Sequence, residues 1–441
     1  ILNFKQTYPN GKILYMEQNY RSTKEIVDTA NQFIKRNQKR YAKNMYTENP
    51  SKEPIRIFNM DTYEGQIQYV VEEIKKQQNL SEIAVLYRNN SSAINLINAL
   101  DLAGIPFYIK DSDNKFFSHW VLKDILNFFR FAQNDTDVEL FERIHKKFNG
   151  YISKKQMALL KTSHSNKSVF ERLIELDRNL QGWQKSKLRD MQSDFSIMKN
   201  MKPKSAIRVI REVFGYDEVL EKTSERLGFA LEGLMDILNT LEILSDSLES
   251  IDEFETRLDY LTQLLKVSKY NKHKNAITLS TFHSSKGLEF EKVFMIDLVN
   301  EIIPTENLIK DYKKGIIDEM EEMARLFYVG MTRAKTHLEL LAYKQKGKEK
   351  FKESIFVTDV KKILKPELSK KYEKMDKKVE TNVSNKSVFE VKAGNKISHK
   401  KFGFGEVLSV EKDVLHIQFE NGIEKSLSLS VCSENQLLTV L

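Results

Sequence analysis

Residues 83–109 read IAVLYRNNSSAINLINALDLAGIPFYI and decide the fold, because they hold a strand, a helix and a second strand in succession. The apolar run at 83–88 predicts a buried strand. A helix is predicted over 92–102, closed by Gly104, and a second strand over 106–109. A strand, a helix and a strand in this order predict a parallel sheet covered by helices.

The same alternation extends upstream of this stretch. The sequence predicts a strand at 55–58 (IRIF) and a helix around 67–74. A further helix is predicted behind Ser22 and Glu25, which have the spacing of a capping box. Downstream, from about 115 to 270, the apolar residues recur only at helical spacing, so this region predicts an all-helical segment.

Strand patterns then return. Strands are predicted at 276–281, 292–297 and 337–342, and a helix at 318–334. The simplest interpretation is an α/β lobe with a parallel sheet, interrupted by an all-helical insertion. The tail alternates apolar and polar residues around Asn421-Gly422 and predicts a small β-barrel or hairpin sheet. The predicted division is a split lobe (1–115 and 270–345), a helical insertion (116–269), a lysine-rich linker with a short helix (346–390) and a small β domain (391–441).

Composition limits the class of protein. The 441 residues carry a formal net charge of +8, which suits a polyanionic partner but is weak support alone. A single cysteine excludes an internal disulfide and a cysteine-based zinc cluster. No apolar run reaches the roughly 18–20 residues of a membrane span, so a cytoplasmic location without membrane contact is expected. Because the chain begins with Ile1, we expect a fragment of a longer protein.

The segment EQNYRST at 17–23 places Tyr20 and Arg21 directly before a helix. Arginine offers a planar fork of donors suited to phosphate oxygens, and a tyrosine ring can stack on a nucleobase. The alternative is a surface arginine paired with Glu17 or Glu25 and a tyrosine packed in the core. The spacing alone leaves that alternative favoured.

The segment TFHSSKGLEF at 281–290 follows an apolar strand. Loops that leave the carboxyl ends of parallel strands commonly bind ligands. Its small residues, with Gly287, expose backbone N–H groups that suit phosphate, Lys286 adds charge and Glu289 offers an acceptor. The alternative is an ordinary strand-to-helix turn.

The segment EEMARLFYVGMTRAKTHLEL at 321–340 carries Arg325 and Arg333, which project near one line if both lie on a helix. Arg333 is predicted at the end of that helix, where its cation would reach across a domain boundary to a transferring phosphate. The phosphate-gripping pattern GxxxxGK[ST] occurs nowhere in the chain, and the eight histidines show no metal-ligand spacing. No metal ligands are therefore predicted on this chain.

These three segments, in this order, resemble motifs IV, V and VI of the superfamily 1 DNA helicases of the UvrD/PcrA/Rep type. The stretches GIPFYIKDSDNKFF (104–117) and VLKDILNFFRFAQNDTD (121–137) resemble the entry into that family's helical insertion. The resemblance covers 1–345 and implies the second of two RecA-like lobes that clamp ATP, with single-stranded DNA running across both.

The resemblance also implies roles for single residues. Arg21 and Arg333 would contact the γ-phosphate, and Tyr20 would stack on adenine. Glu289 would meet the ribose, with Gly287 in the same loop. Two further residues would lie towards the DNA backbone: Thr281 and His283. The missing first lobe would supply the phosphate-gripping loop and the ligands of Mg²⁺.

Two positions depart from the family pattern. The place of a glycine-rich helix–hairpin–helix that contacts duplex DNA, FNGYISKKQMALL at 148–160, lacks the second glycine. Ala324 stands where relatives carry a second arginine. The tail GNKISHKKFGFGEV (394–407) resembles a small SH3- or Tudor-like domain associated with RNA polymerase binding, so 391–441 implies that partner.

Three functions remain open at this stage. The leading hypothesis is the C-terminal portion of an ATP-dependent DNA helicase that moves 3′ to 5′ on single-stranded DNA and unwinds duplex in repair or replication. This chain alone would then hydrolyse no ATP. The competing hypothesis is a non-hydrolysing scaffold derived from a helicase, which links nucleic acid to RNA polymerase. A helicase–nuclease subunit ranks last, because no carboxylate-rich nuclease motif follows residue 345.

Overall fold

A computed structural model describes most of the chain. The described residues are 4–41, 43–110, 115–163, 165–365, 391–399, 402–411, 414–420, 422, 424–428 and 438–440. All seven predicted site residues lie among them. Asn421 of the predicted turn and the stretch 366–390 of the predicted linker lie outside the described residues.

A parallel sheet forms the centre of the first unit of the chain. Its strands are β1 (Arg56–Thr62), β2 (Ile83–Tyr87), β3 (Phe107–Ile109), β4 (Ile277–Thr281), β5 (Phe290–Met295), β6 (Ala334–Lys346) and the short β7 (Glu349–Lys350). They lie in the order β1-β6-β5-β2-β4-β3, and every neighbouring pair in this order is parallel. Only β7 pairs antiparallel, with β6. The predicted α/β class with a parallel sheet is confirmed.

Helices pack against this sheet. The helices of this unit outside the insertion are α1 (Phe4–Thr7), α2 (Lys24–Ile34), α3 (Tyr63–Lys75), α4 (Asn90–Leu102), α14 (Glu306–Lys313), α15 (Asp318–Met331) and α16 (Ile355–Leu364). Of these, α3, α4 and α15 lie between successive strands in the chain. Gly104 follows α4 with φ of +67°, the left-handed backbone that glycine adopts without steric cost. The predicted capping box at α2 is wrong. Thr23 is the N-cap, no side chain caps the helix, and Ser22 is buried with its hydroxyl donated elsewhere.

The helical insertion leaves the sheet after β3 and returns at β4, its immediate neighbour. Its helices are α5 (Trp120–Gln133), α6 (Val138–Ile144), α7 (Lys154–Thr162), α8 (Val169–Leu176), α9 (Gly182–Met198), α10 (Pro203–Arg208), a π-helical turn (Val209–Val213), α11 (Tyr216–Leu227), α12 (Leu231–Leu244) and α13 (Ile251–Ser268). Buried phenylalanines form its core, with the rings of Phe195 and Phe214 only 4.4 Å apart. Because entry and exit lie on adjacent strands, the insertion does not interrupt the sheet.

Ion pairs tie the insertion to the lobe, among them Lys348 with Glu212 at 2.5 Å. Lys346 at the end of β6 is 4% exposed and lies 2.6 Å from Asp236 of α12. Arg257 of α13 lies 2.7 Å from Asp101 of α4. Residues 1–364 accordingly pack as one compact unit. The predicted domain boundaries within this unit remain a prediction.

Residues 365–441 form a second compact unit. Its strands are β8 (Lys396–His399), β9 (Gly403–Glu411), β10 (Val414–Phe419), β11 (Glu424–Ser428) and β12 (Leu438–Val440). They form an antiparallel sheet in the order β11-β10-β9-β8-β12 around a small core that includes Ile397, Leu415 and Ile417. The predicted hairpin sheet is confirmed, and closure into a barrel remains a prediction. None of the described helices has the length and apolar character of a membrane-spanning segment.

Candidate functional site

The segment that carries Arg21 is bound to the amino end of β6. The Thr23 N–H donates to the Lys335 carbonyl at 2.9 Å, and the buried Ser22 hydroxyl donates to the Ala334 carbonyl at 2.7 Å. These contacts join residues 312 positions apart in the chain. The motif around Arg21 and the motif around Arg333 are therefore held together by hydrogen bonds to backbone carbonyls.

Asn19 shapes the turn before Arg21. Its side-chain oxygen accepts the N–H groups of Arg21 at 2.8 Å and Ser22 at 2.9 Å. This is an Asx turn, in which a short amide side chain replaces a backbone acceptor. Sequence reasoning missed Asn19 and the contact of Ser22. Asn19, a short polar residue two positions before Arg21, was the available signal for the turn. The contact of Ser22 had no clear signal, because a serine at this position fits a helix cap equally well.

Arg21 pairs with neither of the acidic residues near it in sequence. Its Nε donates to Oε2 of Glu289 at 2.8 Å and its Nη1 to the Thr332 carbonyl at 3.2 Å. The alternative that placed Arg21 against Glu17 or Glu25 is wrong. The hydrogen bond from Arg21 lowers the pKa of Glu289, with a smaller effect from Lys335, whose Nζ lies 3.5 Å from Oε1 of Glu289.

Arg333 lies beyond α15, not on it. The helix ends at Met331, so the predicted helix over 318–334 is three residues shorter and Arg325 and Arg333 do not share a helical line. Arg325 instead pairs with Glu322 at 2.9 Å on the same helix. Thr332 and Arg333 form the turn between α15 and β6, which begins at Ala334.

The guanidinium of Arg333 is buried against carbonyl oxygens. Its Nε donates to Val329 O at 2.9 Å and its Nη1 to Leu288 O at 3.0 Å, and the residue is 9% exposed. A cation at the carboxyl end of a helix also interacts favourably with the helix dipole. Burial, followed by the positive charge of Arg21, lowers the pKa of Arg333 to about 10. Both guanidinium groups contact Thr332: Arg21 Nη1 donates to its carbonyl and Arg333 Nη2 donates to its hydroxyl, each at 3.2 Å. The two positive charges therefore lie close enough to repel each other, and Glu289 pairs with Arg21.

Tyr20 and Gly287 flank these charges. Tyr20 is 78% exposed, and its hydroxyl donates to the Gln18 side chain at 2.7 Å. The alternative of a tyrosine packed in the core is wrong. Gly287 has φ of +87°, a backbone conformation that favours glycine, and no atom approaches the position of a Cβ there. An exposed ring and an open backbone leave room for a planar ligand.

Thr281 and His283 lie at the opposite edge of the sheet. Thr281 pairs with Tyr87 at the carboxyl end of β2, whereas Phe290 lies five residues before Met295, the partner of Leu86. At about 3.3 Å per residue, the segment 281–290 crosses roughly 20 Å along the strands. The structure brings Arg21, Glu289 and Arg333 together and leaves Thr281 and His283 apart from them.

Further cations lie at the carboxyl edge. Arg88 follows β2, is half-buried, and forms no ion pair among the described residues. Burial and then the charge of Arg88 lower the pKa of His283, which places the two side chains near each other. Lys110 follows β3 and donates to the Ser284 carbonyl. Sequence reasoning missed Arg88 and Lys110, although each directly follows a strand.

The described residues contain no group of three or more His, Cys, Asp or Glu side chains that could hold a metal ion. Cationic side chains gather at both edges of the sheet, Arg21 and Arg333 at the amino edge and Arg88 and Lys110 at the carboxyl edge. This arrangement suits anionic ligands, a compact one at the amino edge and an extended one at the carboxyl edge.

The sequence of this chain is similar to those of several known proteins. Similar proteins include the ATP-dependent DNA helicase PcrA of Staphylococcus epidermidis RP62A, 31% identical over 350 residues that cover 76% of this chain and 47% of that protein. PcrA of Bacillus subtilis strain 168 is 30% identical over 454 residues, which cover 93% of this chain and 60% of that protein. PcrA of Staphylococcus aureus Mu50 is 30% identical over 76% of this chain and 47% of its own length.

The chain thus spans about half the length of the first of these relatives. Residues 14–345, which contain every predicted site residue, match the sequence family described as the UvrD-like helicase C-terminal domain. The chain belongs to the UvrD-like helicase C-terminal domain family.

Proposed function

We propose that this chain forms one wall of the ATP site of an ATP-dependent DNA helicase, with Arg21 and Arg333 as the residues that contact the terminal phosphate. One observation carries this proposal. Two guanidinium groups from segments 312 residues apart meet at Thr332, at one edge of the sheet, and the Glu289 carboxylate pairs with Arg21. A compact polyanion would offset their repulsion, and charge-assisted bonds to phosphate oxygens are among the strongest that arginine makes.

The neighbouring residues suit the rest of a nucleotide. The exposed ring of Tyr20 would stack on adenine, and Glu289 would accept a ribose hydroxyl, with the open backbone at Gly287 beside it. The phosphate-gripping loop and the Mg²⁺ ligands would come from an N-terminal RecA-like lobe of the same protein. With that lobe, these residues would hold ATP and Mg²⁺ between two surfaces.

The carboxyl edge would bind the DNA. Thr281 and His283 would face the backbone of single-stranded DNA, and Arg88 supplies a positive charge without an ion-pair partner among the described residues. ATP-driven movement of the two lobes would step the strand, in the 3′ to 5′ direction implied by the family resemblance, and unwind duplex DNA ahead of it. The site for the nucleotide and the site for the strand then lie on opposite edges of one rigid sheet.

The tail and the cellular setting complete the proposal. The sheet of residues 391–441 exposes Phe404 and Leu408 and would bind RNA polymerase. The protein would act in the cytoplasm. The competing scaffold function would keep the DNA and polymerase contacts, but it requires no preserved arrangement of Arg21, Glu289 and Arg333.

The test is whether the chain recognises a terminal phosphate. The purified chain is titrated with ATP and with ADP while the Nε–H signals of its arginines are followed by NMR, which detects millimolar binding. We expect stronger binding of ATP than of ADP, and loss of this preference in Arg21→Gln and in Arg333→Gln. Arg325→Gln, which removes an arginine paired on the outer face of α15, is the matched control. Equal binding of the two nucleotides, unaffected by either variant, would leave the scaffold function as the better account.

A further inference from the structure

We propose that Lys335 is a positioning residue of the nucleotide site, which holds Glu289 and thereby frees Arg21 to transfer from that carboxylate to a terminal phosphate. This inference rests on the proposed function. It concerns a side chain that none of the three sequence motifs singled out for a role.

The two oxygens of Glu289 have different partners. Oε2 accepts from Arg21 Nε at 2.8 Å, and Oε1 lies 3.5 Å from Lys335 Nζ. Lys335 also lies 3.8 Å from Oε1 of Glu291, but the other oxygen of Glu291 already accepts from the Thr336 hydroxyl at 3.1 Å. Lys335 is thus the second counter-charge of Glu289 and is independent of Arg21.

The backbone keeps Lys335 in this place whatever Arg21 does. Its carbonyl accepts the Thr23 N–H at 2.9 Å, and the preceding carbonyl of Ala334 accepts the Ser22 hydroxyl at 2.7 Å. Movement of the Arg21 side chain breaks neither bond. The backbone of Lys335 therefore stays in place while the guanidinium of Arg21 turns, and its Nζ remains within reach of Glu289.

The positive charge of Lys335 explains why Glu289 can release Arg21. If Arg21 turns to a phosphate, Glu289, which is exposed, loses its closest cation and lies beside a negatively charged ligand. A carboxylate so placed would either draw Arg21 back or take up a proton, because nearby negative charge disfavours its ionised form. Lys335 offsets this charge through Oε1, so Glu289 stays ionised and available to a ribose hydroxyl.

A double-mutant cycle on the purified 441-residue chain tests this role, with ATP and ADP as the probes in the NMR titration. Lys335→Gln should weaken ATP binding about three- to tenfold and ADP binding less than twofold. Lys344→Gln removes the same charge from β6 about 30 Å away along the strand, where the lysine pairs with Asp61, and should change neither. Glu291→Gln, which removes the other carboxylate near Lys335, should also preserve the preference for ATP.

The decisive measurement is the effect of Lys335→Gln in a Glu289→Gln background. If Lys335 acts through Glu289, the substitution there should change ATP binding less than twofold. An equal loss in both backgrounds would mean that Lys335 attracts the phosphate directly and would overturn the proposal. A wild-type preference for ATP that Arg21→Gln abolishes and Lys335→Gln leaves intact would also overturn it, without touching the proposed function. No preference for ATP in the wild-type chain would defeat both.

Discussion

At the amino edge of the sheet Arg21 and Arg333 are each held by several partners, whereas at the carboxyl edge Arg88 forms no ion pair among the described residues and His283 is exposed. The segment 281–290 supplies residues to both edges. Hydrogen bonds from the Ser22 hydroxyl and the Thr23 N–H to carbonyls of β6 hold the amino edge together. Residues 281–290 thus contribute to an ordered cationic surface at the amino edge and to an open cationic surface at the carboxyl edge.

This difference matches the two kinds of anion in the proposed function. A triphosphate is compact, so cations that bind it must be fixed in direction, and existing partners keep them fixed. A nucleic-acid backbone is extended and slides, so unpaired cations that act through charge are sufficient. Pairing of the cations therefore distinguishes the two sites better than their residue types do.

The largest expected effect is on catalysis at the amino edge. In a protein that joins this chain to a lobe with a phosphate-gripping loop, Arg333→Ala should lower ATP hydrolysis by about 10³-fold or more, the range for an arginine that stabilises a transferring phosphate. Steady-state hydrolysis measures it, with Arg325→Ala as the control. The chain alone should hydrolyse no ATP above background. Hydrolysis by the isolated chain that Arg333→Ala abolishes would remove the need for a second lobe.

The second-largest expected effect is on local opening of the hydrogen bonds that hold Ser22 and Thr23 against β6. Ser22→Ala leaves the Ala334 carbonyl without its hydroxyl donor, at a cost of about 1–2 kcal/mol, or roughly 5- to 30-fold in local opening. Hydrogen exchange of the Thr23 amide, which donates to Lys335, should accelerate by that factor. The Phe282 amide, which donates to Tyr87 at the carboxyl edge, should be unchanged. Equal acceleration at both amides would indicate that the two edges open together.

A smaller expected effect is on the salt dependence of DNA binding, which should differ between variants at the two edges. Binding of a single-stranded oligonucleotide should weaken with salt, and Arg88→Ala should reduce the slope of log K against log salt by about 0.7, the value for one phosphate contact. Fluorescence anisotropy at several salt concentrations measures it. Arg21→Ala at the other edge should leave the slope unchanged. A change of slope in both variants would place the strand near both edges.

The smallest expected effect is the pH dependence of DNA binding. Burial and then Arg88 lower the pKa of His283 below its ordinary value of 6.5, so the free side chain is neutral at pH 7. Protonation of His283 therefore lowers the stability of the folded chain as pH falls below 6.5. When a DNA phosphate is bound beside His283, protonation is favourable instead, because the phosphate favours the charged form of the imidazole. Binding of the oligonucleotide should strengthen about two- to fivefold from pH 7.5 to 6, and His283→Gln should abolish this change. If the pH dependence of binding persists in His283→Gln, a different side chain is the titrating group.

Much of the fold could be predicted from the sequence. The strand at 83–88 and the helix closed by Gly104 appear as predicted, because both depend on local apolar spacing and on one glycine with positive φ. The helical stretch between β3 and β4 follows for the same reason. Errors concentrate where a distant partner competes with a local one. Ser22 fits a helix cap locally, but the carbonyl of Ala334 takes its hydroxyl.

The candidate site divides in the same way. The sequence by itself determined which residue types are present, namely Tyr20, Arg21, Glu289 and Arg333, because the motifs that carry them are continuous stretches of chain. Only the tertiary structure decided that Arg21 pairs with Glu289 rather than with Glu17 or Glu25. It also decided that Thr281 and Glu289 lie at opposite edges of the sheet. The first follows from the hydrogen bonds of Ser22 and Thr23 to the start of β6 and from the pairing of β6 with β5, which join residues 268 positions apart regardless of local spacing. The second follows because β4 and β5 both run parallel to β2, so the end of β4 and the start of β5 lie at opposite edges.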